Sequence, residues 1–164
     1  FPDPAKFIRK LHDKGIMIGI SLSPYISDTV PEYIECVDND YLVKDDDGNP
    51  ILAEYEGGAM GIVNVMNQSA RNWLRLKFDS VLNIGLDLAE ADFKYVMLNV
   101  PGKSAAFHNC FATTFNSIVK DCASRCNGSA NDSIIKNSTG AGDSISPYRN
   151  IYIYIPYYIF YPYC

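Results

Sequence analysis

The stretch Gly85–Phe93, reading GLDLAEADF, constrains the fold more than any other part of the chain. It reads as a buried strand ending on two acids. Side chains alternate along a strand, so Leu88, Glu90 and Asp92 share one face while Ala89, Ala91 and Phe93 share the other. Two carboxylates on one side of an apolar strand are costly to bury, which marks them as candidates for function. The plainer reading is a strand end whose acids reach solvent.

The flanking pattern says what kind of sheet would hold such a strand. Pro2 and Pro4 open a helix with Phe7, Ile8 and Leu11 at helical spacing, and Gly15 stops it. The apolar run Ile16–Leu22, closed by Pro24, suits a parallel strand covered on both faces. From Ser27 to Gly61 the pattern weakens into turns. Tyr41–Val43 and Ile51–Ala53 read as a small hairpin across Asp47-Gly48-Asn49. The run Asp45-Asp46-Asp47 lacks the ligand spacing of a calcium loop and reads as a solvated turn.

Beyond the short apolar segment Ile62–Val65, a helix is expected from Ser69 to Leu82, with Trp73, Leu74, Leu76, Phe78 and Val81 facing the core. After Gly85 and the acidic strand, a helix over Ala105–Cys126 and a strand over Ser133–Lys136 follow. Helix and strand alternate three times, the signature of a parallel α/β architecture. Ligands in such folds sit at the carboxyl ends of the strands. Those ends hold Ser23 and Tyr25, then Glu90 and Asp92, then Asn137 and Ser138.

These strand ends resemble glycoside hydrolase family 31, the retaining α-glucosidases and α-xylosidases built on a (β/α)8 barrel. FPDPAKFIRKLHDKG followed by GISLSPYIS is similar to that family's Phe-Pro-Asp-Pro helix and next strand, and DYLVKDDDGNP to its Gly-Tyr-Leu-Val-Lys insertion. GLDLAEADF resembles Gly-Val-Asp-Gly-Phe-Lys-Thr-Asp-Phe, whose last Asp is the family's nucleophile, so the resemblance gives that role to Asp92. His108-Asn109 matches a His-Asn pair at the next helix, and the stretch Asn137–Gly142 looks like the family's Arg-Ser-x-x-Ala-Gly strand end.

The resemblance covers residues 1–147 and implies a partial TIM barrel, about strands three to five with their helices, spanning 1–150 with a loop insertion at 28–61. The implied partner is a carbohydrate, an α-glucoside or α-xyloside, with no cofactor and no metal. Glu90, Asn64, Asn137 and Tyr25 fall at substrate-binding positions.

The departures are also specific. Glu90 stands where the family has Lys, Asn64 where it has the Asp of Asp-x-Thr-Asn, and Asn137 where it has Arg, unless the match slips by one onto Lys136. No His-Trp-Gly-Gly-Asp segment, the family's source of the general acid/base, follows Pro147. A retaining glycosidase needs two carboxyl groups about 5 Å apart on opposite sides of the scissile bond. Glu90 shares a strand and a face with Asp92, so it cannot be that second group. Its charge, about 7 Å away, is expected to push the Asp92 pKa upward by a repulsion of roughly 2 kcal/mol at an effective dielectric of 20. These residues alone are therefore expected to be inactive. A non-catalytic sugar-binding or unstable fragment is the alternative.

A remoter alternative is a ribokinase-like sugar kinase, since Thr139-Gly140-Ala141-Gly142-Asp143 resembles its anion-hole signature with Asp143 as base. The helix such a site needs does not follow.

Other features bound the function. A net charge of −5 and the lack of a basic cluster argue against nucleic-acid or anionic-membrane partners. The five cysteines, Cys36, Cys110, Cys122, Cys126 and Cys164, are scattered, and with only His12 and His108 they make a poor zinc set. The chain opens on Phe1-Pro2-Asp3-Pro4, without an initiator Met or a signal-like segment, as a processed chain or a fragment would. Sequons at Asn67, Asn127, Asn131 and Asn137 lean weakly towards a secretory or lysosomal route.

Residues 151–164 alternate Ile and Tyr around Pro156 and Pro162. They read as a strand apolar on both faces, too short to span a membrane. Because a TA repeat in DNA translates as Ile-Tyr, they also read as intron or out-of-frame sequence rather than native coding sequence.

Overall fold

The computed structural model describes residues 3–55, 58–91, 103–126, 135–137 and 152–159. The elements run α1 (Pro4–His12), β1 (Met17–Ser27), α2 (Pro31–Asp38), β2 (Leu52–Tyr55), β3 (Gly58–Ile62), α3 (Gln68–Leu82), β4 (Leu88–Ala91), α4 (Ala105–Cys126), β5 (Ile135–Asn137) and β6 (Tyr152–Ile159). The strands form one sheet in the order β2-β3-β1-β4-β5, with β6 paired to β1. β1, β4 and β5 are parallel neighbours, and β6 is parallel to β1. The β2–β3 hairpin extends the sheet antiparallel to the end of β1. This is the mixed α/β arrangement of a partial TIM barrel, as expected.

β1 carries the plan. Ile18, Ile20, Leu22 and Ile26 alternate onto one face and are buried beneath the helices. Gly19, Ser21 and Ser23 alternate onto the other. Pairing gives β4 the same polarity, because Gly19 lies level with Leu88, Ile20 with Ala89, Ser21 with Glu90 and Leu22 with Ala91. On the helix side Phe78 of α3 meets Phe115 of α4 edge to face at 6.1 Å, and Phe111 and Ile118 are fully buried beside them. Each such side chain contributes roughly 1.5–3 kcal/mol on burial.

Local chemistry explains the helix starts. Asp3 Oδ1 accepts from Lys6 N at 2.9 Å and Pro4 supplies the first helical φ of α1. Asn67 Oδ1 accepts from Ser69 N at 2.8 Å to start α3, while its Nδ2 donates to Asp40 O at 3.2 Å. The amide nitrogen of that sequon is therefore engaged, and a sugar on it would leave a single N–H to serve the bond to Asp40.

Four local expectations are corrected. β1 continues through Pro24 to Ser27, because the missing N–H falls at a register shift where Pro24 O instead accepts from Val63 N at 2.8 Å. Within 28–61, Pro31 sits in the first turn of α2, where its lost N–H costs nothing, so a helix stands where turns were expected. The expected hairpin forms across 47–49, where Lys44 bridges Pro50 antiparallel and Ile51 N donates to Val43 O at 2.9 Å, but residues 58–61 fall in β3 of a further β2–β3 hairpin rather than in turns. Leu76 is 70% exposed, on the far side of α3 from Trp73, Leu74, Phe78 and Val81, so it is not part of the core stripe.

Candidate functional site

Parallel pairing aligns the carboxyl ends of β1, β4 and β5, so the inward face of that end can be built strand by strand. From β1 come Ser21 and Ser23. The Ser21 hydroxyl donates to Glu90 Oε2 at 3.0 Å, across the register pair that joins β1 to β4. Ser23 is 6% exposed, and its buried Oγ has no hydrogen-bond partner among the described residues. A buried hydroxyl left unpaired costs about 1–3 kcal/mol, which makes it a place to look for a ligand. Ser21 was not singled out from the sequence. Its signal was the alternation of small polar residues with Ile and Leu along β1.

Tyr25 is buried at the same end of β1, level with Ile62 of β3. Asn64 follows β3 at this end, two residues past that pairing. Its Oδ1 accepts from Met66 N at 3.1 Å, closing the turn that leads into α3. The carbonyl oxygen is thereby engaged in the turn. Glu90 is half-buried, and it shares a face with Leu88 as the alternation required.

On β5 the register sets Lys136 level with Glu90 and Asn137 level with Ala91. Asp92 lies outside the described residues, as do Ser138 and the stretch from Thr139 to Asp143. His108 sits in the first turn of α4, capped by Ser104, whose Oγ accepts from Phe107 N at 3.2 Å. Its Nδ1 is buried with no hydrogen-bond partner among the described residues, and its ring meets Phe107 edge-on.

Burial pushes the Cys36 and Cys122 thiols up to about 12, so both stay protonated and inert at neutral pH. Among the described residues there is no group of three or more His, Cys, Asp or Glu side chains able to hold a metal ion. No described helix is long and apolar enough to cross a membrane.

Comparison with known proteins gives this geometry its context. Residues 1–147 match the glycosyl hydrolases family 31 TIM-barrel domain. An alpha-xylosidase of Emericella nidulans is 24% identical over 153 residues, covering 90% of this chain and 20% of that protein. Alpha-xylosidase XylQ of Lactiplantibacillus pentosus is 28% identical over 128 residues, covering 73% of this chain and 16% of its own length. The chain therefore spans a fifth or less of these relatives.

Among solved structures, a family 31 sulfoquinovosidase from E. rectale, in complex with an aza-sugar inhibitor, superposes with a TM-score of 0.67 at 25% identity, over 83% of this chain and 21% of that one. A Flavobacterium johnsoniae family 31 dextranase complexed with glucose reaches a TM-score of 0.67 at 18% identity over 94% of this chain and 20% of that one, a likeness of fold. The domain match over nine-tenths of the sequence and the inward polar row at the strand ends agree, and the chain belongs to glycoside hydrolase family 31.

Proposed function

We propose that this chain supplies the nucleophile side of a retaining α-glycosidase site acting on an α-glucoside or α-xyloside, with Asp92 as the nucleophile. One observation carries the reading. The face bearing Ser21, Ser23 and Glu90 rises to the carboxyl ends of the parallel strands, and Asp92 follows Glu90 by two residues in the sequence, a spacing that supports the same face. Family membership supports it, as do the names of the two relatives, both alpha-xylosidases.

In this scheme Asp92 attacks the anomeric carbon as a carboxylate, and the Ser23 hydroxyl, without a partner among the described residues, and the Glu90 carboxylate are available to sugar hydroxyls. Tyr25 walls the same end and Asn64 stands at its margin, while Asn137 is proposed as a further sugar contact on the resemblance alone. The second carboxyl of a retaining pair must approach from across the scissile bond. Glu90, two residues from Asp92 on one strand, cannot do so. The residues on hand thus serve glycosyl transfer to Asp92 but not protonation of a poor leaving group.

That division suggests the test. Fluoride departs without protonation, so a 5-fluoro-α-glycosyl fluoride of glucose or xylose requires only the nucleophile. Incubation with the full chain should add one glycosyl group at Asp92, mapped by peptide mass spectrometry and abolished in Asp92→Asn. A chain that takes no label, or takes it elsewhere and keeps it in Asp92→Asn, overturns the assignment. Sugar binding without labelling would favour a non-catalytic carbohydrate module instead.

A further inference from the structure

On the described part of the strand-end face, one charge stands among hydroxyls. Glu90 of β4 is half-buried, and among the described residues its carboxylate accepts a single bond, from the Ser21 hydroxyl to Oε2 at 3.0 Å. No described side chain sets a cation against it. The basic residues of the helix layer face other partners: Arg125 is bound to Asp79 at 2.8 Å, Arg75 faces Asp121 at 3.7 Å, and Lys77 lies between Glu32 and Glu35. A carboxylate withdrawn from water with one neutral donor is poorly compensated.

A second observation lies one step further along β1. Ser23 is 6% exposed, and its Oγ has no partner among the described residues. Alternation sets it on the face of Ser21, two residues nearer the carboxyl ends. A buried hydroxyl there is satisfied by a ligand that offers both donors and acceptors, as a sugar does.

Charge narrows the kind of sugar. Two residues along a strand are about 7 Å apart, so on the nucleophile reading, on which this inference rests, Glu90 and Asp92 place two negative charges at that spacing. A neutral hydroxyl can donate to Glu90 but leaves the two like charges facing one ligand. An ammonium group donates equally well and offsets the charge of Glu90.

We propose that Glu90 is a specificity-determining residue, and that the site takes an α-glycoside whose sugar carries an ammonium group, held by Glu90 with the Ser23 hydroxyl beside it. Ser21 fixes the carboxylate through Oε2, and Oε1 is the oxygen presented to the ligand. The repulsion that Glu90 exerts on Asp92 is then relieved by the substrate itself, so the chain favours a cationic sugar over a neutral one.

Isothermal titration calorimetry on the full chain tests this without any assay of turnover. The probes are methyl α-glucoside and its 2-amino-2-deoxy, 4-amino-4-deoxy and 6-amino-6-deoxy counterparts, at a pH where the amines are protonated. At least one amino sugar should bind about tenfold tighter than the parent. Added salt should narrow that gap, and N-acetylation, which removes the charge, should abolish it. Glu90→Gln should bring the amino sugar level with the parent, Glu90→Asp should keep part of the preference, and Glu90→Lys should reverse it.

Three amino sugars that bind no tighter than methyl α-glucoside would overturn the proposal, as would a preference that survives in Glu90→Gln. If a variant does not fold, the salt dependence of the wild type and its response to N-acetylation still decide. A preference for the amino sugar in a chain that takes no glycosyl label would remove the nucleophile reading and leave the ammonium site standing. A label at Asp92 without the preference would do the reverse.

Discussion

The two ends of the parallel strands are built on opposite principles. At the amino end, Asp87 Oδ2 accepts from Ile18 N at 2.8 Å and lies 2.9 Å from His12 Nε2, while Asp87 N donates to Ile18 O at 3.0 Å. One residue thus ties α1, β1 and β4 together. At the carboxyl end, among the described residues, Ser23 Oγ is buried without a partner and Glu90 accepts a single bond. The contrast is the one expected of a barrel, with polar groups mutually satisfied where the strands start and left open to a ligand where they finish.

The largest effect should come from the satisfied end. Asp87→Ala removes both side-chain bonds and strands the Ile18 N–H among apolar residues. We expect a loss of roughly 2–4 kcal/mol, read as a lower midpoint in urea at unchanged slope. Asp87→Asn keeps an acceptor for Ile18 and should fall between. A wild-type midpoint for Asp87→Ala would break the comparison, because the amino end would then not be the anchored one.

The opposite sign is expected at the other end. Ser23→Ala removes a buried hydroxyl that bonds nothing described, so it should hold stability or raise it by about 1 kcal/mol, while weakening sugar binding. Stability and binding moving in opposite directions is what separates a ligand site from a structural one. A clear loss of stability in Ser23→Ala would erase the distinction.

Much of this was legible beforehand where periodicity and fixed motifs coincide. The near-continuous apolar run of β1, the alternation of Leu88 and Glu90 against Ala89 and Ala91, and the stripe of α3 each follow from one residue spacing. Leu76 shows the limit, since a stripe read from composition admits an apolar residue that the helix turns outward. α2 was hidden because Pro31 marks a turn and a helix start equally well. The Ser21–Glu90 bond could not be read at all, as it joins residues 69 apart and depends on register. Lys136 and Asn137 differ by one position, and only pairing with β4 says which is level with Glu90.

A third carboxylate, far from either end, supplies the smallest effect and a control. Asp45 Oδ1 accepts from Asn49 N at 2.8 Å and Asp47 N at 3.0 Å, while Gly48, at φ 85°, turns the chain in the left-handed region. The backbone N–H of Asn49 chiefly, then its side chain, Asp47 and Gly48, hold the Asp45 carboxyl below its usual range. The group is exposed, so water competes for every one of these bonds.

Asp45→Ala should therefore lower the melting temperature less than Asp87→Ala does. A folded pKa below the unfolded one stabilises above the unfolded value, about 3.9, and that contribution disappears as pH falls through the folded value. Melting curves of wild type and Asp45→Ala should differ near pH 6 and converge in acid. Curves that stay apart there would mean the turn is held by its backbone geometry, with Gly48 rather than the carboxylate setting its shape.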